Sequence, residues 1–328
     1  MPKVTVCIPI YKAEKYIEQS ARSLFEQSLD DIEYIFINDC TPDRSIQILQ
    51  QVLLEYPNRK NQVKLLHHPT NLNVAIARQT GIDAATGEYI IMCDSDDMTL
   101  PNMYEVLYQA ADSHHADIVY CDLNYIVDNK TSYIHQSDTT GGIDAVKKIL
   151  RSEINSNLSI KLVRSSIYKN NVHFSEIRPM WEDTLTSIYM FYKAKTVVHI
   201  PQGLFNYISH TSSICNTTDL RVFARHATDV IHNSNKIVNF IRKMPSHEQH
   251  ELHSDLCAFL FKAKWHLLNW WEMDASHIAS WRNLWPEILQ HLPAIKIPKW
   301  KKYIYKGLYH NTMTKILIPM LSLYKKVR

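Results

Sequence analysis

The chain has 328 residues, 45% of them hydrophobic and 21% charged, a balance that permits a sizeable buried core and excludes a disordered or low-complexity protein. Its formal charge of +3 hides an uneven distribution: nine of the 36 basic residues and no acidic one lie between Leu292 and Arg328, leaving 27 basic against 33 acidic elsewhere, or −6. No apolar run approaches the ~20 residues of a membrane-spanning helix, since the best candidate, Ile316 to Tyr324, is short and contains Pro319.

The N-terminal MPKVTVCIPIY turns directly into strand-like sequence without the architecture of a signal peptide. Val4 to Ile8 reads as a buried strand and Glu14 to Gln27 as a helix, with Ile17, Ala21, Leu24 and Phe25 at helical spacing. The unit repeats: strand Ile32 to Ile37, helix Ser45 to Tyr56, strand Val63 to Leu66, helix Val74 to Ala85, strand Glu88 to Cys93, helix Met103 to Ala111, strand Asp117 to Cys121. Such alternation predicts a doubly wound α/β sheet. From Ile126 to Ile214 the pattern is mixed, with a strand at Thr196 to His199. Arg221 to Lys243 and Glu248 to Trp271 read as helices. A boundary near residue 215 divides an α/β domain, 1–215, from a helical region, 216–328. Six scattered cysteines (Cys7, Cys40, Cys93, Cys121, Cys215, Cys257) show no CxxC and no zinc-like spacing, as expected in a reducing cytosol.

In open α/β sheets ligands bind beyond the carboxyl ends of the strands. Three strand ends carry the relevant residues: Pro9-Ile10-Tyr11, Asn38-Asp39-Cys40-Thr41-Pro42-Asp43 and Asp94-Ser95-Asp96-Asp97. Three carboxylates within four residues repel one another and need a cation or strong donors to stay ionised together. Oxygen ligands of this kind suit Mg²⁺ or Mn²⁺. The alternative is a solvated acidic turn, or a cap for the helix that starts near Pro101.

In these motifs and their order the sequence resembles the family 2 glycosyltransferases, which have the Rossmann-like GT-A fold. The resemblance runs from about Lys3 to Ile214. Pro9-Ile10-Tyr11 is similar to the family's opening turn against the nucleotide base, with Lys12 where Asn is usual. Asn38 to Asp43 resembles the DDGSxD motif, which implies that Asp39 accepts a hydrogen bond from uracil; Cys40 stands for the customary Gly. Asn71-Leu72-Asn73-Val74-Ala75-Ile76-Ala77-Arg78 resembles NxGxxxAR, which implies nucleoside contacts for Asn71 and Arg78, with Asn73 in place of Gly. By the same resemblance Asp94, with Ser95 beside it, faces the ribose or donor sugar, and Asp96 binds the metal. Met180-Trp181-Glu182-Asp183 resembles the ED motif, which implies a catalytic base: Asp183 first, Glu182 second. Helix capping by the acidic pair is the ordinary alternative. Asn206 to Ile214 is similar to YRxHxxSI over the donor diphosphate; His210 and Ser213 match, and Ile208 stands where Arg is expected.

The resemblance implies an inverting transferase that moves a sugar from a nucleotide-diphospho-sugar, with UDP the expected nucleotide, to a glycan or lipid-linked hydroxyl with help from Mn²⁺ or Mg²⁺. A bacterial surface polysaccharide or lipooligosaccharide is the implied product. A nucleotidyltransferase would carry a Gly-rich phosphate loop after the first strand, which Pro9 to Ala13 lacks. A non-catalytic nucleotide-sugar or glycan binder is the other alternative, against which Asp94, Asp96 and Asp183 speak. In the tail Lys296, Lys299, Lys301, Lys302 and Lys306 interleave with Trp300, Tyr303, Tyr305 and Tyr309. That pattern suits an anionic membrane surface; a basic end packed on the helical region is the alternative. Basic residues do not dominate the body, so no nucleic-acid partner is expected. The expected location is cytoplasmic, peripheral on the inner face of the cell membrane.

Overall fold

In the computed structural model the described residues are 1–128, 130–209, 220–270, 275–310, 314 and 317. They fall in two compact units, Met1–Asn216 and Thr217–Arg328.

The first unit is built on one sheet. Strand β1 (Val4–Ile10) is buried at every position, as a β-branched strand covered on both faces must be. It is followed by α1 (Ile17–Phe25), β2 (Ile32–Asn38), α2 (Ser45–Leu54), β3 (Val63–His67), α3 (Val74–Ala84) and β4 (Tyr89–Met92). These four strands pair in parallel in the order β3-β2-β1-β4. Gly87 makes the entry to β4 possible: a Cβ there would lie 2.6 Å from Thr5 Oγ1 and 2.7 Å from Thr5 N.

The chain continues through β5 (Met98–Thr99), α4 (Met103–Ser113), β6 (Ile118–Val127), β7 (Lys130–Ile134) and α5 (Gly142–Leu150). Then come β8 (Lys161–Arg164), α6 (Ser165–Asn171), α7 (Glu182–Lys193) and β9 (Val197–Ile208). Beyond β4 the sheet departs from a purely parallel winding. Strand β8 inserts between β4 and β6, antiparallel to both, while β9 is parallel to β6 and β5 antiparallel to β9. The hairpin partner β7 is exposed throughout. Because β1, β2 and β4 run in one direction, the segments after them share one edge of the sheet.

The second unit is helical: α8 (Leu220–Arg242), α9 (Ser246–Trp270), α10 (Ala275–Asn283), α11 (Ile288–His291) and α12 (Lys299–Gly307). Among the described residues no helix is long and apolar enough to cross a membrane. Tyr305 and Leu308 are buried, whereas Trp300 is 53% and Tyr303 74% exposed, so only part of the tail's aromatic set faces outward. Cys7, Cys93, Cys121 and Cys257 are free and buried, and Cys40 is free and exposed.

Candidate active site

The loops after β1 and β2 are stitched together. Lys12 N donates to Thr41 Oγ1 at 2.8 Å, and the Asp43 carboxylate accepts from Glu14 N at 3.0 Å and Thr41 Oγ1 at 2.7 Å. Asn38 Oδ1 closes the turn by accepting from Thr41 N at 2.9 Å. Lys12 (φ 54°) and Cys40 (φ 55°) both adopt the left-handed backbone region. The turn therefore keeps at Cys40 the conformation that a glycine would reach without strain. Pro9 is buried within β1. Tyr11 is 44% exposed, with Lys12 Nζ 5.2 Å from its ring centre.

Asp39, at the end of β2, is 2% exposed. Its Oδ1 lies 2.7 Å from His68 Nδ1 and accepts from Leu72 N at 2.8 Å. Its Oδ2 accepts from Asn71 Nδ2 at 2.9 Å and Asn73 N at 3.0 Å. These contacts fill the roughly four acceptor positions of a carboxylate, so Asp39 and Asn71 together order the loop that leads into α3. Asn73, at φ 77°, caps that helix by accepting from Ala75 N at 3.0 Å.

Helix α3 then delivers Arg78, whose side chain is 3% exposed, to the same edge of the sheet. One terminal nitrogen donates to Glu182 Oε1 and to Asp183 Oδ1, both at 2.8 Å, and the other to Asp94 Oδ1 at 3.0 Å. Three segments far apart in sequence thus meet on one guanidinium. Trp181, left-handed at φ 63°, turns the chain into α7 and puts Glu182 and Asp183 in its first turn. Burial alone would lower the Arg78 pKa, but Asp183, Asp94 and Glu182 hold it above its ordinary value, so the group stays charged. Arg78 Nε is buried without a hydrogen-bond partner.

The acids respond to the crowding. Burial, reinforced by Asp183 and opposed by Arg78, pushes Glu182 up to about 8. Asp183 is also raised by burial, with Arg78 opposing. Its side chain is 27% exposed against 12% for Glu182, so Asp183 is the member of the pair that an incoming molecule can reach. A carboxylate with a raised pKa is a stronger proton acceptor than an ordinary one.

The loop after β4 adds further negative charge. Ser95 is buried, and Asp94 and Asp96 are half-buried. Asp97, 2% exposed, is pushed up to about 9 by burial and by the charges of Asp94 and Asp96. Its Oδ1 accepts from Ile208 N at 3.1 Å, which ties the end of β9 to the acidic loop by main chain. His210 and Ser213 lie outside the described residues.

Spacing gave no notice of Lys161 on β8, which is fully buried. Its ammonium donates to Asn155 O at 2.6 Å and Asn157 O at 2.5 Å. Burial lowers its pKa to about 7, with Asp183 opposing. A lysine inside the apolar run Leu158 to Val163 is a signal that could have drawn attention to it.

The profile of glycosyl transferase family 2 matches residues 5–191, which span the three strand-end loops, Arg78 and the Glu182-Asp183 pair. An uncharacterized glycosyltransferase of Bacillus subtilis, EpsJ, is 29% identical over 227 residues, covering 65% of this chain and 63% of EpsJ. The match thus spans less than two thirds of that relative's length. Residues 1–349 of S. aureus TarS in complex with UDP-GlcNAc superpose with a TM-score of 0.55 at 17% identity, covering 84% of this chain and 83% of that one. The mannosyltransferase PcManGT of Pyrobaculum calidifontis, in complex with GDP-Man and Mn²⁺, gives a TM-score of 0.57 at 14% identity, covering 97% and 87%. At these identities the likeness is one of fold, the α/β GT-A fold with a helical C-terminal region.

Proposed function

The chain belongs to glycosyl transferase family 2, and from that premise we propose that it transfers a sugar from a nucleotide-diphospho-sugar, a UDP-sugar, to a hydroxyl of a glycan or lipid-linked acceptor, with inversion at the anomeric carbon. The observation that carries this reading is the convergence of Asp94, Glu182 and Asp183 on the buried Arg78 beside the acidic loop. On the donor side, Tyr11 offers an exposed ring for a base, and Asp39 with Asn71 orders the loop next to it. TarS and PcManGT, each in complex with a nucleotide sugar, add support through their fold.

Inverting displacement needs a proton acceptor on the far side of the anomeric carbon from the leaving diphosphate. Asp183 fills that role: it is the more exposed of the pair, and Arg78 fixes its orientation. Glu182, pushed up to about 8, keeps its proton near neutral pH and leaves Arg78's charge to its partner. A divalent cation fits the loop after β4. Asp97 is driven up to about 9 partly by the charges of Asp94 and Asp96, an excess of negative charge that a cation would neutralise. Asp96, with Asp94 and Ser95 beside it, would hold Mn²⁺ or Mg²⁺. Such an ion supplies charge neutralisation that makes the donor diphosphate a better leaving group.

Titration calorimetry with a panel of UDP-sugars in the presence of Mn²⁺ tests the proposal. Heat with at least one donor is expected, and it should disappear in Asp96→Asn. A folded protein that gives no heat with any nucleotide sugar would overturn it.

For the acceptor, the reading extends to lipid-linked glycans of a bacterial surface polysaccharide or lipooligosaccharide, made at the inner face of the membrane. Lys296, Lys299, Trp300, Tyr303 and Lys306 are all exposed on and before α12, a combination of cations and amphipathic rings that suits anionic lipid. Charge reversal at Lys299 and Lys306 leaves the buried Tyr305 and Leu308 in place. It should weaken co-sedimentation with phosphatidylglycerol vesicles, and unchanged binding would remove the membrane from the proposal.

A further inference from the structure

Helix α9 carries His253 and Cys257 one turn apart, so their side chains stack on one face. The short α11 brings His291 to that face. Its position is fixed by packing on both sides, because Ile288 and Leu292 are fully buried. Just before it, Trp285 Nε1 donates to Asn235 Oδ1 at 2.9 Å, anchoring the turn to α8. The outcome is a convergence of three ligand-type atoms. His253 Nε2 and His291 Nε2 are 2.8 Å apart, Cys257 Sγ is 3.8 Å from His253 Nε2, and one ligand atom from each of the three residues lies within 4.8 Å of the other two.

We propose that His253, Cys257 and His291 bind a Zn²⁺ ion that clamps α11 to α9 in the helical unit. Two imidazoles and a thiolate form the borderline-soft donor set that zinc prefers over the oxygen-seeking Mg²⁺ and Mn²⁺. A tetrahedral ion at ~2.0–2.3 Å from its ligands needs ligand atoms roughly 3.3–3.8 Å apart. The sulfur is already at such a separation from His253, and the two nitrogens need to part by about half an ångström to reach that range. Binding displaces the thiol proton to solvent and turns both Nε2 atoms into acceptors toward the metal. Three protein ligands leave one position for water.

A second grouping, Asp122, His135 and His199, has comparable spacing but is already satisfied. Asp122 is engaged by the Tyr133 hydroxyl, by Gln136 N at 2.7 Å, and by His135 and His199 at 3.1 and 2.8 Å, while the other nitrogen of His199 meets Asp138 at 2.7 Å. At the α9–α11 cluster two imidazole nitrogens share a single hydrogen-bond position and the Cys257 thiol lies against the same place, with the charge of Glu287 nearby.

The 328-residue chain, stripped with chelator and titrated with Co²⁺ as a zinc probe, decides the matter. One equivalent of tetrahedral cobalt is expected, with a thiolate-to-metal charge-transfer band that zinc bleaches. Cys257→Ser should lose that band, and His291→Ala should weaken zinc by more than the 10–100-fold typical of losing an outer-shell partner. His135→Ala should leave both readings unchanged. A wild-type titration without the sulfur band, or zinc affinity that survives His291→Ala and falls in His135→Ala, would overturn the proposal and leave a plain His–His hydrogen bond. Because the wild-type spectrum decides by itself, a misfolded variant does not spare the idea. Manganese-dependent donor binding is read separately by calorimetry with nucleotide sugar, so failure of either proposal leaves the other standing.

Discussion

Arg78 in the sheet unit and Lys264 in the helical unit are both buried cations, 3% and 0% exposed. Around Arg78 stand three carboxylates, with the acids of the β4 loop attached to the same chain segment. Around Lys264 the polar partners are neutral: the carbonyl oxygens of Leu284 and Arg282 and the Tyr309 hydroxyl at 2.8 Å, with the Trp281 ring centre 4.4 Å from Nζ. Burial lowers Lys264 to about 7, with the charge of Glu287 opposing. At Arg78 two partner acids are driven up, Glu182 to about 8 and Asp183 with it, and in the adjoining loop Asp97 rises to about 9. A cation satisfied by neutral acceptors completes a core. One outnumbered by carboxylates at a sheet edge leaves charge for a ligand to balance.

The largest effect that would sharpen this contrast belongs to Asp183→Asn. Loss of a general base typically costs ~10²–10⁴ in rate, and transfer should fall by that much while donor affinity is kept. Normal transfer by this variant would remove Asp183 from the chemistry.

Next in size is stability. Arg78→Met strips the cation from three carboxylates and should cost ~3–5 kcal/mol, the usual penalty for breaking a buried ion pair. Lys264→Met leaves only neutral acceptors unpaired and should cost ~1–3 kcal/mol. Urea unfolding of the two variants reads the difference, and equal losses would break the comparison between the units.

This contrast was only half legible in the sequence. The first four strands and their helices stand out because apolar periodicity and strand-end polarity agree, and the motif loops sit where those ends fall. Strand β8 was hidden, since four residues bounded by Lys161 and Arg164 look nothing like the apolar runs of β1 or β4. Only the first residues of β9 look like a strand in the sequence, because Pro201-Gln202-Gly203 breaks the run where the pairing with β6 is irregular near Asp122. The acidic residues themselves were legible, but not their meeting. Arg78 is 16, 104 and 105 residues from its three partners, and no local spacing encodes such contacts. Asp39 was legible as a polar strand end, whereas its commitment to residues 68–73 depends on β2 and β3 lying side by side.

The smallest effect tests which acid of the pair carries the proton. A carboxyl raised from 4.5 to about 8 holds, in the folded state, a proton that the unfolded chain gives up at much lower pH. The stability it contributes is fully present below the unfolded value, declines as pH rises between the two, and is gone above about 8. Glu182→Gln has no such proton to lose. The difference in unfolding free energy between wild type and variant should therefore slope against the wild type from pH 5 to 8. The bound for one proton is about 1.4 kcal/mol per pH unit. Asp183 is raised as well and remains in the variant, so some slope should persist there and only the difference isolates Glu182. A flat difference would mean that Glu182 is ionised beside Arg78 at neutral pH. The proton-free acid would then no longer be Asp183 by default, and Glu182→Gln would have to be assayed as a base on equal terms.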